Sequence, residues 1–216
     1  MKRFQTVLPT LALLSILAAC GGQDAPMDDM DMDVTPAVEA QPTASGGELA
    51  CYLAGATPEE ARARVSPHSS LAFNIGATRA LLCYGAPSAR GREIMGGLVP
   101  YGTPWRIGAD EPTTLHLGGR ANVGGIALEP GSYSLYAIPG EDGWQFFINS
   151  NWQRWGIEID AAVRSTEIAS FTVVPQPLPE MVETLTYTWE EAPGGDPGGE
   201  LVLQWERTVL LIPMES

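Results

Sequence analysis

Gly131-Ser132-Tyr133-Ser134-Leu135-Tyr136-Ala137-Ile138-Pro139-Gly140-Glu141-Asp142-Gly143-Trp144-Gln145-Phe146-Phe147-Ile148-Asn149 is the stretch that decides the fold. Tyr133, Leu135 and Ala137 recur at every second position, and so do Trp144, Phe146 and Ile148. Side chains of a strand point alternately to opposite faces, so period two predicts half-buried strands. Pro139 to Gly143, rich in residues that favour turns, predicts a hairpin between them. The same alternation appears in Leu71, Phe73 and Ile75, in Leu185, Tyr187 and Trp189, and in Leu201, Leu203 and Trp205. Glu129-Pro130-Gly131-Ser132 suits a type II turn, with Pro second and Gly third. Many short strands with punctuated turns, and no long helical period, predict an all-β chain. Its expected form is an antiparallel β-sandwich or jelly roll.

Ahead of the strands, Thr57-Pro58-Glu59-Glu60 carries a helix start signal: Thr57 as N-cap, Pro58 at the first position and Glu60 at the third. One short N-terminal helix is expected there, stopped by Ser66-Pro67, and a peripheral second one between Trp152 and Arg164. The first residues read differently. Lys2 and Arg3, an apolar run from Val7 to Ala19 and then Leu17-Ala18-Ala19-Cys20 describe a secretory signal over residues 1–19, too short to span a membrane. Leu-Ala-Ala-Cys resembles the lipobox of bacterial lipoproteins, which implies acylation of Cys20 and anchoring in a lipid bilayer. Gly21 and Gly22 follow it in place of an inner-membrane retention Asp. In a Gram-negative host the expected location in the cell envelope is therefore the outer membrane. Residues 20–49 read as a disordered acidic tether, with seven acidic residues and no basic or aromatic one. Residues 50–216 are left as the β-sandwich domain.

Beyond residue 19 the chain holds all 26 acidic residues and ten of its twelve basic ones, a net charge of −16. That charge argues against nucleic acid as a partner. Lys2 is the only lysine, so every basic side chain beyond Arg3 is an arginine. With Cys20 lipidated, Cys51 and Cys83 form an even pair in an oxidising compartment and are disulfide candidates, two separate buried thiols being the alternative. Neither lies in a CxxC, and two histidines leave no zinc-like ligand set. No metal or cofactor motif is present.

Residues 87–114 interrupt the strand rhythm. Pro87-Ser88-x-Arg90-Gly91-Arg92, Gly96-Gly97-Leu98-Val99-Pro100-Tyr101-Gly102 and Trp105-Arg106-x-Gly108-Ala109-x-Glu111-x-Thr113-Thr114 resemble the secreted bacterial family catalogued as domain of unknown function 2911. Pro130 to Pro139, Trp144, Asn149, Trp155-Gly156 and Trp205-Glu206 carry the likeness on, from about residue 66 to 213. Asp110 departs from it, standing where Asn is usual. The resemblance implies an exported domain and supplies no activity.

The residues themselves give two readings of this segment. Arg90, Arg92 and Arg106 can recognise carboxylate or phosphate bidentately, while Tyr101 and Trp105 offer flat surfaces to sugar rings, with Glu111 beside them. This makes a binding or accessory module for an envelope glycan, a small anionic ligand or an envelope protein. Alternatively, Arg–Glu pairs and a buried Trp only pin a long loop across the sandwich. No nucleophile motif is present. An envelope hydrolase would have to use Glu111 with His116, which on a strand faces away from Leu115 and Leu117.

Overall fold

The structure, a computed structural model, describes residues 48–216. The signal, Cys20 and most of the tether lie outside the described residues. The chain is an antiparallel β-sandwich. After helix α1 (Pro58–Arg62) come β1 (His68–Ile75), β2 (Thr78–Gly85), β3 (Thr113–Leu117), β4 (Ala121–Val123), β5 (Ile126–Leu128), β6 (Gly131–Ile138) and β7 (Trp144–Asn149). They are followed by helix α2 (Ala161–Arg164), β8 (Glu167–Val173), β9 (Gln176–Glu191) and β10 (Gly198–Glu215). One sheet runs β1-β2-β3-β6-β7-β8 and the other β5-β4-β10-β9. Pro177 and Pro179 sit on β9, an edge strand where a missing N–H costs least.

The alternating apolar residues face one another between the sheets. Leu82, Leu115, Leu135 and Ile148 from the first meet Leu201, Leu203, Trp205 and Tyr187 from the second, all buried. On β10 the inward set changes parity, from Leu201, Leu203 and Trp205 to Leu210, Ile212 and Met214. Irregular pairing on either side of Glu206, whose φ is +54°, absorbs the extra residue. Without that bulge the second half would turn its apolar side to water.

Helix α1 forms on its capping box: Glu60 N–H donates to Thr57 Oγ1 at 3.2 Å and Thr57 N–H to Glu60 Oε2 at 2.8 Å. The type II turn does not form. Gly131 instead extends β6 and pairs with Leu117, because the β3 ladder claims it before a turn can. The central strands are also not half-buried: Thr114, His116, Ser134, Tyr136 and Asn149 lie on their outer faces and are buried too. Segments 48–66 and 150–166 cover that face as a third layer. Asn149 fastens it, donating to Val163 O at 2.7 Å and accepting from Asn151 N–H at 2.7 Å and the Thr166 hydroxyl at 2.9 Å. Ser134 Oγ donates to Asn151 O at 3.0 Å.

Asn149→Ala removes three hydrogen bonds and leaves Asn151 N–H without its acceptor, while Val163 O and the Thr166 hydroxyl keep each other; it should cost roughly 1–3 kcal/mol in urea unfolding. A loss below about 0.5 kcal/mol, the scale of a surface change, would mean that the outer face is not sealed.

Candidate functional site

The loop between β2 and β3 is held to both sheets. On the β9 side, Ala89 N–H donates to Glu183 O at 2.8 Å, Leu185 N–H to Pro87 O at 2.9 Å, and the Ser88 and Thr184 hydroxyls meet at 2.8 Å. On the β6 side, Trp105 N–H donates to Ala137 O at 2.7 Å and Ala137 N–H to Trp105 O at 2.9 Å. The Trp105 indole stacks on Trp205 at 5.8 Å and meets Trp144 edge-on at 5.9 Å. Ile94, Val99 and Ile107 are buried under the loop. Its fastening is therefore chiefly main-chain and aromatic, with the Glu183 and Glu206 carboxylates accepting from Arg90, Ile94 and Met95 N–H.

The side chains of the loop arginines add to this arrangement only through main-chain carbonyls. Arg90, Arg92, Trp105 and Arg106 line one cleft of about 350 Å³, with Val65, Leu98 and Trp205 among its walls. The Arg90 guanidinium donates to Val65 O, and that of Arg92 to Ala89 O and Ser88 O. Among the described residues the three ion pairs are Arg64–Glu111, Arg120–Glu129 and Arg164–Glu167, so none of the cleft arginines is neutralised by a carboxylate. Arg106 is the most confined. Its Nε is buried without a hydrogen-bond partner, and burial draws its pKa down against the opposing pull of Asp110.

The backbone beside Arg106 is strained. Ile107 has φ +46°, a rare conformation for a β-branched residue. It is over-determined: its carbonyl accepts from the Tyr187 hydroxyl at 2.8 Å and from the Thr113 hydroxyl at 3.1 Å. Arg90 (φ +53°) and Asp110 (φ +60°) are also left-handed. At Asp110 this gives the Asn-to-Asp departure a backbone meaning, because both residues enter that region readily. Strain held in place by its surroundings gathers at binding sites. Opposite, the Glu206 bulge aims its carboxylate into the loop, where it accepts from Ile94 and Met95 N–H at 3.3 Å each.

Three of the sequence candidates lie elsewhere. Tyr101 borders a separate shallow cleft with Met95, Gly140 and Arg207. Glu111 is 3% exposed, and both its oxygens are taken by Arg64 Nη1 at 2.7 and 2.6 Å. His116 does not join it: Nδ1 meets Ser132 Oγ at 2.7 Å, the ring stands edge-on to Trp152 at 5.3 Å, and Nε2 is buried. With no hydrogen-bonded charge nearby, burial pushes the His116 pKa down to about 4. Burial likewise lowers that of His68. These two groups hold the third layer in place and share no cleft.

Cys51 and Cys83 are disulfide-bonded, their Cα atoms 5.7 Å apart, which ties the N-terminal segment to β2. Sequence reasoning missed two residues here. Arg64, the partner of Glu111, follows α1 and carried only a helix signal. His68 comes to lie beside the disulfide. The alternation read from the sequence starts beyond it, at Leu71, and only the pairing of His68 with Gly85 and Ser70 with Cys83 brings it there.

Residues 66–214 match the family described as protein of unknown function DUF2911. The chain belongs to that family. No curated protein and no solved structure matches it. The matched span holds the whole sandwich and the arginine cleft but leaves out α1, Arg64 and Cys51.

Arg64→Ala strands the Glu111 carboxylate in the interior and should cost about 3–5 kcal/mol by urea unfolding, because a buried charge is left unpaired. His116 sets a pH signature. The unfolded chain takes up the proton near 6.5 and the folded chain only near 4. Stability is thus full above pH 6.5 and falls as the pH drops towards 4, by roughly 3 kcal/mol for this group. His68 adds to the same trend. His116→Asn should flatten that slope, and an unchanged slope would contradict the burial of a neutral imidazole.

Proposed function

We propose that this domain is a lipid-anchored binding module of the bacterial cell envelope. Its cleft, lined by Arg90, Arg92, Trp105 and Arg106, takes a small organic anion or the acidic group of a glycan. The observation that carries this reading is the set of three guanidinium groups facing one cleft without a carboxylate among them, in a chain of net charge −14. Desolvating a guanidinium without a partner is costly. Arg90 and Arg92 donate to main-chain carbonyls, whereas Arg106 Nε has no acceptor, and the main chain and Trp105 carry most of the fastening. Arg106 Nε, buried here without an acceptor, would gain one from a carboxylate or phosphate oxygen as its side chain turns into the cleft, and the arginines together supply a fork for two oxygens. Trp105 and Leu98 offer apolar surface to the rest of the ligand. The anchor rests on the sequence around Cys20. Among the described residues no helix is long and apolar enough to cross a membrane.

Calorimetric titration of the domain with citrate, galacturonate, glucose 6-phosphate and inorganic phosphate tests the cleft. At least one should bind, and Arg106→Ala should weaken it about 10- to 100-fold, the loss of a charged hydrogen bond. Arg120→Ala, at an exposed ion pair, should leave it unchanged. Equal binding by wild type and Arg106→Ala, or none by either, would count against the reading. For the anchor, Cys20→Ala should move the folded domain out of the membrane fraction. A variant that stays there after its signal is cleaved would overturn that part.

A further inference from the structure

The disulfide has a third neighbour that the fold does not otherwise use. His68 and Cys83 share the outer face of the first sheet as diagonal neighbours across β1 and β2, and the disulfide brings Cys51 to the same point. One ring nitrogen of His68 and the two sulfurs lie within 4.8 Å of one another. Both His68 ring nitrogens are buried and neither has a hydrogen-bond partner. Nearby, Glu111 is satisfied by Arg64 and His116 Nδ1 by Ser132, while His116 Nε2 is also without a partner. An imidazole with two idle nitrogens costs free energy that this part of the fold does not recover.

We propose that Cys51, His68 and Cys83 are a latent zinc site, closed while the cysteines are bonded and opened by reduction. A dithiol reductant supplies two electrons and two protons: the Cys51–Cys83 bond breaks, two thiols form, and the reductant leaves as its own disulfide. One Zn²⁺ then displaces the two thiol protons, which pass to solvent, and binds two thiolates and one imidazole nitrogen. Two thiolates and an imidazole are a donor set that zinc prefers, and the fourth position stays open for water. The complex carries no net charge, so its partial burial brings no unpaired charge with it. Cys83 is buried while Cys51 and His68 are half-buried, which leaves the ion a way in. The site restores to the N-terminal segment the tether that reduction removes, and it couples metal uptake to the redox state of the envelope.

Cobalt(II) is the probe, because thiolate ligation gives it a charge-transfer band and tetrahedral geometry gives strong visible bands. The full chain carrying Cys20→Ala, which leaves Cys51 and Cys83 as its two thiols, is titrated after reduction with a phosphine that does not bind the metal. One equivalent should bind with both signatures, Zn²⁺ should displace it, and the oxidised chain should show neither. His68→Ala, checked for folding by circular dichroism in its oxidised form, should weaken cobalt binding at least about tenfold, a loss that even groups beyond the ligands can cause. Absence of the charge-transfer band, or equal affinity in wild type and His68→Ala, overturns the proposal. The second result also covers a reduced chain that unfolds and binds through free cysteines alone.

Discussion

Trp105 joins the two sheets. Its main chain extends the ladder of β6 at Ala137, while its indole lies against Trp205 of β10. Neither contact involves a charged side chain. That one residue lets a 27-residue connection, from Ala86 to Pro112, cross the sandwich with its backbone groups satisfied. The arginines on either side of it then face no carboxylate in an ion pair. If Arg–Glu pairs had done the pinning, the same three residues would face carboxylates, and the cleft would be a fastening like that of Arg64 and Glu111.

The rest of the architecture follows from covering polar surface. The six-stranded sheet buries apolar residues inward in the ordinary way, but its outer face carries Ser, Thr, Asn and His in the central strands. Two segments close over them, and there Ser134 and Asn149 pair with Asn151, Val163 and Thr166 of the covering layer. Aromatic contacts of Trp152 with Tyr52 and His116 knit the two segments together, and the Cys51–Cys83 bond fixes the first of them. His116 Nε2 is left without a partner there, and His68 goes further, with neither ring nitrogen engaged. Departures from local satisfaction of this kind mark places where a fold has been shaped for something besides stability.

Much of this was legible in the sequence, and the misses have physical causes. Period two located β1, β6, β7, β9 and β10, because each carries a run of three apolar residues at alternate positions. The capping box located α1 because Thr57, Pro58 and Glu60 act locally. Gly131 was misread because turn propensity is local, whereas the ladder with Leu117 is not. The buried outer face was invisible for the same reason: Ser134 and Asn149 read as solvent-facing until segments distant in sequence cover them. At the site, composition placed Arg90, Arg92, Trp105 and Arg106 together because they share one loop. It also drew in Tyr101 and Glu111, whose side chains leave that loop in other directions. Arg64 and His68 carried no signal, since their roles arise only from strand register and the docking of α1.

The central claim is that Arg106 awaits an anion, and its Nε–H is the atom to watch. Nitrogen-15 NMR of arginine Nε–H groups, followed during titration with citrate, reads that donor directly. The account predicts a saturable shift of the Arg106 resonance, accompanied by Arg90 or Arg92, while Arg120 stays still. A stationary Arg106 signal across the citrate series and a parallel one in phosphate, or shifts shared equally by Arg120, would contradict it.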